Sequence, residues 1–222
     1  MQNVIWQHRL WDNQTLRDKI MGLISNGTTI FDLGATSAGI GSGMKFMKKL
    51  TASGSATLSF VHGSGGVNFS TYKEYLFTFN NMHPATDNAL LTFQGSVDTG
   101  SNYGVNITST VYYAYHDEAD SATTLAYSGD DLAQSTDFFK FVGGTGNGND
   151  ESSSGYLHLF NPSSTTFVKH FISRNNYYYG GDFSIERNTG GYFNTTSAID
   201  AIQFKYSSGN IDAGDVCLYG IA

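Results

Sequence analysis

Charge is what this 222-residue chain has least of. Asp, Glu, Lys and Arg make up 14% of it, against about a quarter in an ordinary globular domain. Proline is almost missing, with 2 residues, and there are only 2 tryptophans. The single cysteine, Cys217, excludes an internal disulfide, and nothing beside it suggests a metal site or a nucleophile. No apolar run approaches the roughly twenty residues needed to span a membrane as a helix. The first residues carry no basic segment followed by an apolar core, so no signal peptide is visible. The expectation is a soluble protein made in a cytoplasm.

Aromatics and small turn residues fill the space that charge leaves. There are 16 Phe, 14 Tyr and 26 Gly, which excludes disorder and suits short strands joined by tight turns. The formal charge of −7 is uneven. Residues 1–50 carry six basic groups (Arg9, Arg17, Lys19, Lys45, Lys48, Lys49) against three acidic ones (Asp12, Asp18, Asp32), so the remainder holds −10. A body this acidic repels a phosphate backbone, which argues against nucleic-acid binding.

Residues 1–34 differ from the rest. Both tryptophans, Trp6 and Trp11, lie here, and Thr15 to Asp18 fits a capping box. Leu16, Ile20, Leu23 and Ile24 then form one apolar stripe. Asn26-Gly27 supplies a stop, so a short helix is expected over about residues 14–25. A helix this short needs a surface to bury its stripe. That surface is either the protein's own sheet or a partner; the docking reading, with the two Trp as anchors, is the one carried forward. Residues 35–43, rich in Gly, Ser and Ala, read as a linker.

From residue 44 to 222 the pattern is β. Lys45–Leu50 reads as a lysine-protected edge strand. Runs around Ala56–Val61, Tyr72–Asn80, Asn88–Val97, Val105–Tyr115, Thr124–Tyr127, Asp137–Val142, Tyr156–Asn161 and Thr165–Ser173 follow, separated by turn residues. Gly143–Gly155 reads as a long polar loop and Asn175–Asp182 as a tyrosine-rich one. Ile202, Phe204 and Tyr206, then Val216, Leu218 and Gly220, give a closing pair of runs expected to form a hairpin or a connected strand pair. About ten short strands without intervening helices point to an all-β, antiparallel, jelly-roll-like β-sandwich. There are no heptads, hence no coiled-coil stalk.

Catalytic signatures are missing: no phosphate-binding loop, no nucleophile elbow, no paired zinc histidines. The expectation is a non-enzymatic protein with no cofactor, no catalytic residues and no metal ligands. Asp117, Glu118 and Asp120 are the nearest approach to a calcium loop, yet match no such spacing and read as solvated charge, as do Asp130-Asp131 and Asp150-Glu151. His158 and His170 read as exposed or cross-strand residues. Tyr177, Tyr178 and Tyr179 are the candidate contacts for a glycan, as a stacking platform on a loop.

The segments Ser70–Tyr75, Pro84–Asp87 with Asn81, Phe93–Ser96 with Asp98, Tyr115–Asp120, Gly155–Leu159, Ser207–Gly214 and Leu218–Ile221 carry a likeness. Through them, residues from about 51 to 221 resemble structural proteins of tailed bacteriophages, the small β-sandwich kind found in marine and cyanobacterial phages. The resemblance implies a virion component whose partners are other capsid or tail proteins, and a homo-oligomer. A capsid decoration, cement or adaptor role is favoured over a head or tail fibre, given the missing stalk. The alternative expectation is a carbohydrate-binding module of a host-recognition appendage.

Overall fold

In the computed structural model the chain divides into two compact units, Met1–Ser42 and Gly43–Ala222. The structure describes residues 43–222 in full and, before them, only the backbone of two short strands, β1 (Leu23–Ser25) and β2 (Thr28–Phe31), paired antiparallel. The expected helix over 14–25 thus loses its last three residues to a strand. Trp6, Trp11, Leu16 and Ile20, the rest of that helix and the linker before Gly43 lie outside the described residues.

The second unit is a two-sheet antiparallel sandwich. Its strands are β3 (Met44–Ser55), β4 (Leu58–Val61), β5 (Glu74–Pro84), β6 (Ala89–Ser96), β7 (Ile107–Asp117) and β8 (Thr123–Tyr127). β9 (Phe139–Thr145), β10 (Ser153–Phe160), β11 (Lys169–Tyr179), β12 (Phe183–Phe193), β13 (Ala201–Tyr206) and β14 (Ile211–Ile221) follow. One sheet has eight strands in the order β3-β14-β5-β10-β11-β12-β7-β8; the other has four, β4-β13-β6-β9. The lysine-bearing β3 is an edge strand, as its sequence suggests.

Three expectations fail. β13 and β14 do not form a hairpin: β13 pairs with β4 and β6, β14 with β3 and β5. Each strand buries one face, and both faces are served when the chain crosses from one sheet to the other. Gly143–Thr145 and Ser153–Gly155 belong to β9 and β10, shortening the expected loop at both ends. The tyrosine-rich "loop" is mostly strand, since β11 runs through Tyr179 and pairs in full register with β12. β12 has no counterpart in the expected strands. Its inward positions include Arg187, Thr189 and Gly191, so its buried face lacks the apolar alternation that marks the other strands.

Phenylalanines knit the layers together. From the short sheet, Phe93 contacts Phe171 at 5.1 Å and Phe193 at 6.0 Å between ring centroids, while Phe204 lies 5.4 Å from Phe77 and 5.1 Å from Phe79. Most of these pairs meet edge to face, the arrangement that the ring quadrupole favours. Among the described residues Cys217 is a buried free thiol, in keeping with its reading as a small apolar filler.

Candidate functional site

The short sheet has half as many strands as the long one, and near β7 the inner face of the long sheet is incompletely covered: Tyr113 and Tyr115 are only half-buried there. Alternation on β7 puts both on the inner face, where their rings lie nearly parallel, 14° apart with centroids at 6.3 Å. The same alternation on β11 separates the three tyrosines expected to act together. Tyr177 and Tyr179 point inward. Tyr178 points outward, where its hydroxyl donates to Asp182 at 2.9 Å, and that bond pushes its pKa up to about 12. Tyr177 is buried, its hydroxyl passing over Gly143 where a side chain would not fit. Three adjacent rings on one strand cannot share a face, so the expected three-tyrosine platform does not form.

In its place the structure builds a cleft of about 290 Å³, lined by Tyr113, Tyr115, Tyr177, Tyr179, Ile185 and Arg187 from the long sheet. Gly143 and Gly144 of β9 and the Ser128–Asp130 turn complete it. Phe183 braces the aromatic wall, edge-on to Tyr115 at 5.1 Å and 6.0 Å from Tyr179.

Arg187 is the polar centre of this wall, and it is 3% exposed. Its Nη2 donates to Asp130 Oδ2 at 2.8 Å, to the Lys140 carbonyl at 3.1 Å and to Ser128 Oγ at 3.5 Å. Its Nε is buried and has no hydrogen-bond partner among the described residues. Burial raises the pKa of Asp130, but the Arg187 guanidinium, helped by Lys140, outweighs it and holds the carboxyl below its ordinary value. Burial raises the Tyr177 phenol, which the nearby Arg187 charge only partly offsets. The site therefore holds a buried guanidinium paired with a carboxylate, beside an aromatic wall.

Behind the cleft the inner faces of β11 and β12 carry a polar layer. Ser173 and Thr189 hydroxyls bond at 2.6 Å, and Asn175 donates from Nδ2 to Ser173 Oγ at 3.2 Å. Further along β11, Lys169 is fully buried and donates to the Thr195 carbonyl at 2.9 Å, its pKa lowered by burial.

The other singled-out residues are occupied locally. Asp117 closes the turn after β7, accepting from the Ser121 and Ala122 amides at 2.8 Å each and from the Ser121 hydroxyl, which chiefly lowers its pKa. Asp120 lies 3.2 Å from the His116 ring. Glu151 accepts from the Gly148 amide. His158 bonds Glu74, while His170 meets Tyr192 edge-on at 5.9 Å. Among the described residues no three His, Cys, Asp or Glu side chains converge as metal ligands would.

The sequence reading missed Arg187, Asp130 as its partner, and the pair Tyr113 and Tyr115. A usable signal existed: Tyr113 and Tyr115, like Tyr177 and Tyr179, are two residues apart, the spacing that places rings on one strand face. Scanned against protein-family models, curated proteins and solved structures, the chain finds no match.

Proposed function

We propose that the chain is a non-enzymatic structural protein of a tailed-phage virion, made in the host cytoplasm and incorporated into the particle. Residues 1–34 grip another virion protein through Trp6 and Trp11, with Leu16, Ile20, Leu23 and Ile24 as further apolar contacts, the last two carried on β1 and not on a helical stripe. Residues 44–222 are the displayed sandwich, wound in a jelly-roll-like way. The role is capsid decoration, cement or adaptor in preference to fibre.

The observation that carries this reading is the separation of Gly43–Ala222 as a unit with its own core, preceded by a segment of different composition. The likeness of residues 51–221 to phage sandwich proteins supports it. Self-association is supported by the exposed Tyr112, Leu125 and Tyr127, which lie together on the outer face of β7 and β8, the latter an edge strand.

The test compares the full chain with residues 43–222 alone. The shorter chain should stay folded and soluble but fail to co-sediment with particles, whereas labelled full-length protein should be seen on them. Particle binding by residues 43–222, or no full-length protein on particles, overturns the reading.

A further inference from the structure

We propose that the cleft beside Arg187 is a binding site for a neutral saccharide. The sugar ring packs on the Tyr113–Tyr115 pair, and its hydroxyls meet the polar edge formed by Asp130 and Arg187. This stands apart from the virion reading, since a sandwich with such a cleft binds sugar wherever it is carried.

Three observations converge. First, Ser128, Asp130 and Arg187 line the cleft beside its tyrosines, so its wall has a polar edge as well as an aromatic face. A ligand that covers these polar groups without hydrogen-bonding to them is unfavourable. Purely apolar ligands are disfavoured for this reason. Second, Asp130 already neutralises the guanidinium at 2.8 Å. An anion entering here meets a carboxylate whose partner is spoken for, which disfavours acidic sugars and phosphates. Third, Tyr113 and Tyr115 present neighbouring, nearly parallel rings, half-exposed on a rigid strand. Such rings suit the C–H face of a sugar, while its hydroxyls supply acceptors and donors at the rim. Concave, mostly aromatic walls with few fixed polar groups are the usual make-up of a small-molecule site.

Recognition therefore rests on β7, on Tyr179 and on Arg187, not on three consecutive tyrosines. Tyr178, on the other face, takes no part.

The experiment uses the full chain and a panel of glucose, galactose, mannose and N-acetylglucosamine, with glucuronate and sialic acid as charged comparisons. Binding is followed by tyrosine side-chain NMR signals and by calorimetry. At least one neutral sugar should shift the signals of Tyr113 and Tyr115. Tyr115→Ala should weaken its binding about tenfold, Tyr179→Ala should weaken it too, and Tyr112→Ala on the opposite face should leave it unchanged. Thermal melts of each variant confirm that the fold survives. Silence across the neutral panel overturns the proposal, as does tighter binding of the charged sugars or equal loss in Tyr112→Ala. Loss of particle attachment on deleting residues 1–34, with sugar binding kept, separates this site from the docking function.

Discussion

Phe171 and Gly191 are register partners on β11 and β12, and the ring lies where a glycine side chain would begin. A Cβ built on Gly191 falls 2.6 Å from the Phe171 ring tip and 2.6 Å from the Thr108 carbonyl oxygen. The ring is wedged among core neighbours and the carbonyl belongs to the paired strand, so neither yields cheaply. Gly191→Ala should cost about 1–3 kcal/mol in urea denaturation, the range for overpacking. At Gly190 the nearest atom to a built Cβ is Thr110 Oγ1 at 3.9 Å, and Gly190→Ala should be nearly neutral. Equal effects at the two positions would show that the ring does not set the requirement.

Asp130→Asn should destabilise the domain by about 2–4 kcal/mol at neutral pH, because it strips the counter-charge from a buried guanidinium while leaving part of the site wet. The Asp130 carboxyl titrates below its ordinary value in the folded protein. Its contribution is therefore present above the unfolded value of about 3.9 and fades as pH falls through the lower folded value. The stability gap between wild type and variant should be open at pH 7 and narrow below pH 4. A gap that does not change with pH would mean that the loss is one of shape, not charge.

Asp98 offers a cleaner titration. Its carboxylate accepts from Asn102 Nδ2 at 2.7 Å, from the Ser96 hydroxyl at 2.7 Å and from the Asn102 amide at 2.9 Å, and it titrates at about 2. The side-chain bond from Asn102 is the largest cause. Carboxyl-carbon NMR should place its midpoint near that value, and Asn102→Ala should move it upward. Stability linked to Asp98 is held above about pH 3.9 and lost as pH falls through about 2.

Phe93 should be the costliest truncation in the core. Its ring meets five other phenylalanines, among them Phe141 at 5.2 Å and Phe171 at 5.1 Å, across both sheets. Phe93→Ala should lose about 3–5 kcal/mol. Denaturant midpoints for this variant and for Phe46→Ala, whose ring is exposed on edge strand β3, should differ widely.

Strands that bury an apolar face were legible in the residues. β5 alternates Tyr75, Phe77 and Phe79 inward, and β7 carries Ile107 and Val111 inward with Ser109 between them, all buried. β12 was hidden because its inward face holds Arg187, Thr189 and Gly191, chosen for a polar layer and for ring clearance and not for apolar burial. The partners of β13 and β14 were equally hidden. Alternation reports that a strand has one buried face but not which backbone it pairs with, and adjacency in sequence suggested a hairpin where the chain changes sheets. The candidate site was half visible. The tyrosines could be named, but treating residues 175–182 as a loop concealed that Tyr178 faces away, and Arg187 gains meaning only when Asp130 arrives from another segment.

The position of β14 between β3 and β5 also sets a timetable for synthesis. Lys49 of β3 meets Asp215 of β14 across 166 positions of sequence, and β14 is the only strand with which β3 pairs among those described. At roughly 5–20 residues per second on the ribosome, β3 waits roughly ten to thirty seconds for that partner. Throughout that interval its backbone is an open template, and Lys45, Lys48 and Lys49 make it an unattractive one for neighbouring nascent chains.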